Sequence, residues 1–209
     1  MRLWTIQTPD RLHDLNRDGL IRGSWDFLRA DEHLAFYIEP YKWMVEQMQK
    51  RLPDVSGEAP MWAQPHRPDL RRDRWQWGDR YMVLIEFDAP DDAVLLSDYG
   101  LWHQVLNNFH CSFSEAECDE FNDREDKRNR ELVETHGFGY RKAWRWVKRE
   151  FRQEIRASWE RIFDPEAIAQ ADPEWIGSPP HEKQACLDHL RRDWIRSVLV
   201  FRSHETKGW

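Results

Sequence analysis

The sequence predicts an α+β fold: small split sheets, mixed or antiparallel, with an antiparallel helical hairpin inserted before the last strands. Three observations carry this. Short alternating or apolar runs stand at both ends and in the middle, at 2–7, 81–87 and 197–201. Two long segments, about 114–135 and 139–162, carry a capping box and an apolar stripe at helical spacing. No Gly/Ser linker or low-complexity tract divides the 209 residues. They are expected to form one domain, 1–209, with the hairpin insertion at about 114–163.

In residues 2–7, Leu3, Thr5 and Gln7 alternate with Trp4 and Ile6, the pattern of a strand. Thr8 is expected to cap a short helix with Pro9 in its first turn and Gly19 just past its end. Residues 20–38 are expected to be irregular. A helix begins at Pro40, with Tyr41, Met44, Val45, Met48 and Leu52 on one face, and Pro53 ends it. Residues 53–80 hold four prolines and read as a long loop with a short strand near 61–63. The run 81–87 is apolar on both faces and is expected to be a central strand. A second short strand covers 93–96, and Asp98 caps a helix to about Asn107. Ser114-Glu-Ala-Glu117 is a capping box, and that helix stops at Gly137. In the next helix Tyr140, Trp144, Val147, Phe151, Ile155, Trp159 and Ile162 form one stripe. Residues 183–187 and 197–201 read as the last strands.

No run of about 18 apolar residues is present, so no membrane-spanning helix is expected. Met1–Gln7 shows no apolar leader, and three cysteines without framework spacing point to a reduced, cytoplasmic protein. No metal site is expected: His103, His110, Cys111 and Cys118 match no standard zinc spacing. The net charge of −7 disfavours phosphate binding globally, but the charge is uneven. Residues 114–134 hold nine acids against four bases, and 138–163 hold eight bases against three glutamates. Two solvated helices facing each other with opposite charge would account for this, as would a basic helix that meets phosphate.

Thirteen residues are tryptophan. Trp4, Trp43, Trp159 and Trp194 sit at core positions. Trp62, Trp75, Trp77, Trp144 and Trp146 sit among charges or in loops, where aromatic faces suit a base, a nicotinamide, a sugar or a protein partner. Asp98, Trp102 and His103 share the first turns of a helix that follows a strand, a common place for a site. A helix cap beside two core residues explains them equally well. Glu182 and Gln184 lie two apart on one side of a late strand, where a wet edge is the plain alternative.

Leu3-Trp-Thr-Ile-Gln7, Ala89-Pro-Asp-Asp92 with Leu95-Leu-Ser-Asp98, Trp102-His103 with Val105-Leu-Asn107, and Ser158-Trp-Glu-Arg-Ile-Phe-Asp164 appear in that order. Together they resemble an uncharacterised bacterial family known only as a domain of unknown function, over nearly the whole chain. The order of strand, short helix, Gly, Tyr-led helix and long central strand is also similar to ADP-ribosyltransferase-like folds. That resemblance implies an NAD-binding transferase. Thr5 or Gln7 would hold the nicotinamide ribose side, and Tyr41 or Trp62 would stack on the nicotinamide. Glu182 or Gln184 would take the catalytic place, with Asp98, Trp102 and His103 at the rim. The chain departs from the pattern in having Glu182-Lys-Gln184 where a terminal glutamate is expected, and an amide holds substrate without acting as a base. The alternatives are a non-catalytic nucleic-acid-binding module, using Arg145, Arg149 and Arg152 of the basic helix 138–163 with the Arg/Trp loop 67–80, and a protein-interaction module.

Overall fold

Leu3 and Thr5 are buried while Trp4 and Ile6 are half-buried, so the first strand turns its Leu3–Thr5–Gln7 side inward. Trp4 was expected in the core. It sits instead on the outer side, and its backbone bridges to Gln64 through paired bonds of 2.9 and 2.7 Å. These relations come from a computed structural model that describes residues 1–30, 32–72, 78–176 and 182–204. The chain divides into two compact units, one made of Met1–Ser97 and the segment that begins at Lys183, the other of Asp98–Glu182. The helical hairpin expected at about 114–163 lies within the second of these units.

In the first unit the elements in chain order are β1 (Arg2–Gln7), α1 (Arg11–Asp18), β2 (Leu20–Arg22), α2 (Trp25–Ala30), α3 (Glu32–Ala35), α4 (Ile38–Arg51), β3 (Met61–Ala63), β4 (Arg80–Asp88) and β5 (Leu95–Asp98). After the inserted unit come β6 (Lys183–Leu187), β7 (His189–Arg191) and β8 (Ile195–Ser203). β4 is central in the antiparallel sheet β1–β4–β8, as its two apolar faces foretold. β3, β6 and β5 form a second sheet in that order, and β2 pairs with β7. Leu3, Val83, Ile85 and Phe87 from the first sheet share one core with Met61, Ala63, Ala185 and Leu187 from the second.

Two expectations change here. Residues 20–38 are not irregular: they hold β2, α2 and α3. The partner of β2 lies far along the chain, so no local pattern revealed it. Ser24 caps α2, its Oγ accepting from the Phe27 N–H at 3.2 Å. The first helix begins two residues later than expected, at Arg11, because Thr8-Pro-Asp10 forms a turn in which the Thr8 carbonyl accepts from Arg11 N at 3.1 Å.

The second unit contains α5 (Tyr99–Leu106), α6 (Glu115–His136), α7 (Tyr140–Ser158) and α8 (Pro165–Ile168). Asp98 caps α5, accepting from Leu101 N at 2.8 Å. Ser114 caps α6, accepting from Glu117 N at 3.2 Å, while the Glu117 carboxylate reaches back to Phe113 N at 2.7 Å. Gly137 closes α6 in the left-handed conformation, φ 62°, which lets the chain reverse into α7. Leu132, Ala143 and Val147 form the hairpin core, flanked by Val133, Phe138, Trp144 and Phe151. α7 was expected to run to Ile162. It ends at Ser158, and a 3₁₀ turn follows over Trp159–Phe163. The Ser158 hydroxyl donates back to Ile155 O at 2.6 Å and accepts from Cys111 N at 2.8 Å, a local bond that competes with helix propagation. Among the described residues no helix is long and apolar enough to cross a membrane.

Candidate functional site

Two places gather the residues singled out above, one in each unit. In the first unit Thr5 is buried, and its Oγ1 donates to the Trp62 carbonyl of β3 at 2.8 Å. Gln7 Nε2 in turn donates to Thr5 Oγ1 at 2.8 Å. Tyr41, one turn into α4, meets the Trp62 ring edge-on with centroids 5.9 Å apart. Burial pushes the Tyr41 hydroxyl up from its ordinary value, against the pull of a hydrogen bond with Trp62.

Trp62 registers with Cys186 across the β3–β6 ladder, so their side chains share a face, and Gln184 shares it two residues earlier on β6. Cys186 Sγ lies 3.2 Å from Met48 Sδ of α4, which shows that this face looks toward α4. Gln184 is buried and its Nε2 donates to Ser97 Oγ at 3.2 Å. Thr5, Gln7, Tyr41 and Trp62 are thus brought into one chain of contacts, with Gln184 on the same strand face as Trp62. Ser97, the partner of Gln184, was not singled out, because nothing local marks a serine on β5 as facing a strand that far away in sequence.

Asp98, Trp102, His103 and Glu182 belong to the second unit. Asp98 is the buried cap already described, and Trp102 is buried. His103 is exposed, its Nδ1 2.8 Å from the Tyr99 carbonyl and its ring edge-on to Tyr99 at 4.6 Å. Glu182 precedes β6, and its carbonyl accepts from Tyr99 N at 2.7 Å. Cys111, on the loop after α5, has its thiol pushed up to about 12 by burial, which keeps it protonated and unreactive.

The helical hairpin is the second place. Its cross-helix ion pairs correct the expectation of an acidic helix facing a basic one. Arg124 of α6 pairs with Glu154 of α7, and Arg128 pairs with Glu150 at 3.0 Å. Lys148–Glu125, at 2.6 Å on a buried carboxylate, runs in the expected sense. Two of these three pairs use the minority charge of each helix. On α7 at about 100° per residue, Arg141, Arg145, Arg149, Arg152 and Arg156 fall within roughly 80° of the helix circumference. Glu150 and Glu154 fall outside it, on the side toward α6. The arc runs about 22 Å along the axis from Arg141 to Arg156. Arg141, Arg145, Arg149 and Arg152 are exposed and Arg156 is half-buried.

Arg141 was not singled out earlier. Extending the 145–149–152 spacing back one turn finds it. In the loop 67–80, Arg71 is exposed and paired with Asp69 at 2.8 Å. Trp75 and Trp77 lie outside the described residues.

No curated protein and no solved structure matches the chain, and the likeness to ADP-ribosyltransferase-like folds finds no support in these comparisons. One family, described as "Domain of unknown function (DUF3841)", matches residues 2–196. That match spans nearly the whole chain, as the order of motifs from Leu3 to Asp164 led one to expect, and the chain belongs to the DUF3841 family.

Proposed function

We propose that the chain binds nucleic acid through the arginine arc of α7. One observation carries this reading: five arginines share a narrow arc of α7 that contains neither Glu150 nor Glu154, and four of the five are exposed. An outward row of guanidinium groups is the electrostatic footprint that a phosphate backbone seeks. The net charge of −7 weakens attraction at long range, but within a Debye length of about 10 Å the arc dominates.

The triple variant Arg145→Gln, Arg149→Gln, Arg152→Gln tests it, read by fluorescence anisotropy with a labelled oligonucleotide across a salt series. Affinity should fall, and the slope of log K against log salt should flatten by about 2, since each lost phosphate contact contributes about 0.7 on a single strand. Equal affinity and slope for variant and parent, or no binding by the parent at low salt, would rule this reading out.

A second reading rests on the contact chain Gln7–Thr5–Trp62–Tyr41 with Gln184 on the Trp62 face. Polar groups and two aromatic rings from β1, α4, β3 and β6 suit the nicotinamide–ribose half of NAD. Gln184 would hold the ligand as an amide, without supplying a catalytic carboxylate. Thermal-shift titration with NAD is expected to raise the melting temperature of the parent protein and not of Tyr41→Ala. An equal response from both would remove Tyr41 from the site. Free cysteines at 111, 118 and 186 support a reducing, cytoplasmic setting for either reading.

A further inference from the structure

We infer that the tip of the hairpin is a base-stacking subsite for single-stranded nucleic acid, which rests on the nucleic-acid reading and specifies its substrate. Four residues make the subsite. Phe138 stands in the reversal between α6 and α7, held by the left-handed Gly137 and by its own N–H on Leu132 O at 3.3 Å. Lys142 Nζ lies 4.0 Å from the centre of the Phe138 ring. The Trp146 ring follows at 6.1 Å from Phe138, tilted 49°, and the Arg149 guanidinium lies 5.9 Å from the Trp146 centroid. Cations and rings therefore alternate along one flank of the arginine arc, at positions 138, 142, 146 and 149.

Trp146 is 48% exposed. The hairpin core closes on Leu132, Ala143 and Val147 without it, so its indole is not needed for packing. An indole left half in water beside a row of arginines offers what a single strand can use. Every unpaired base has a π-face to stack, while its phosphates follow the cations. A duplex keeps its bases stacked inside and presents mainly phosphate to such a surface, so it gains the charge term without the rings. Arg149 serves both parts, as a cation over the ring and as a member of the arc.

The experiment compares the parent, Trp146→Ala, Trp146→Phe and the arginine triple variant. Each is titrated against a labelled oligothymidine of about 12 nucleotides, within the site sizes that single-strand binders use, and against a duplex of the same length. The parent should prefer the single strand. Trp146→Ala should weaken single-strand binding about tenfold or more while leaving the salt slope and the duplex affinity unchanged, and Trp146→Phe should restore most of the loss. Thermal melts confirm that each variant is folded. If Trp146→Ala binds the single strand as well as the parent while the arginine variant still loses affinity, the stacking subsite is overturned and the phosphate arc survives. If no protein binds either oligonucleotide at low salt, the nucleic-acid reading itself fails and takes this inference with it. Sedimentation with phosphatidylserine–phosphatidylcholine vesicles supplies the last arm: Trp146-dependent binding to vesicles, with none to oligonucleotides, would reassign the patch to a lipid surface.

Discussion

Replacing Trp159 by alanine is expected to destabilise the inserted unit by about 3–5 kcal/mol, the range for deleting a fully buried large side chain. Trp159 is 1% exposed and opens the 3₁₀ turn after α7. Its indole N–H donates to the Phe109 carbonyl at 2.8 Å, and the Arg156 guanidinium lies 5.9 Å from its ring centre. Alanine leaves a cavity the size of an indole and an orphaned carbonyl. Trp159→Phe keeps most of the apolar volume and loses the hydrogen bond, so it should cost a smaller amount. Urea denaturation followed by far-UV circular dichroism reads both, with a separate transition expected for each unit if they unfold independently. An unchanged midpoint for Trp159→Ala would mean that the stripe of α7 does not end in the core.

Gly100→Ala is the second large effect. Gly100 lies in the first turn of α5, where alanine would ordinarily gain about 1 kcal/mol in helix propensity. A Cβ there would stand 1.9 Å from the Ile176 carbonyl oxygen and 3.1 Å from its carbon. The obstacle is main chain, so no rotamer change relieves it. Overpacking of this kind costs about 3 kcal/mol or more, which outweighs the propensity gain. Gly139→Ala is the control. Nothing lies within 4 Å of its added Cβ, and its φ of −63° suits any residue. Its stability should change by less than about 1 kcal/mol. Parallel thermal melts decide the matter, and equal behaviour of the two variants would mean that Ile176 does not press on α5.

What could be read in the chain was what local chemistry dictates. Ser114 and Glu117 announced α6, the apolar run 81–87 announced a central strand, and Asp98 announced its own capping bond. β2 and β7 stayed hidden because each has three residues and finds its meaning only in a distant partner. Leu3 and Thr5, rather than Trp4, face the core because β1 is clamped from both sides. β4 lies along one edge, and the Gln64 bridge on the other fixes which side chains turn inward. Composition gave α6 and α7 opposite charges. It could not say that Arg124, Arg128, Glu150 and Glu154, the exceptions in each helix, would be the ones that cross the hairpin. Trp144 and Trp146 looked alike in sequence, yet two residues of helix rotation put the first against the core and the second in solvent.

The pairing of Ile85 with Val198 sets an order of events during synthesis. β1 and β4 can pair soon after both have left the ribosome, but the other edge of β4 must wait for β8, on the far side of the inserted unit. At about 5–20 residues per second, adding that intervening stretch takes on the order of 5–20 s. Throughout that interval Val83 and Ile85 lie on an unfinished sheet edge, the kind of strand that recruits other chains. The inserted unit is continuous in sequence and is complete before β6 begins. Its folding can therefore bring the late strands nearer to the waiting edge, shortening the loop that β8 has to close. A nascent chain stalled before residue 183 would hold a finished hairpin and an unfinished sheet, and it is this intermediate that a chaperone would have most reason to meet.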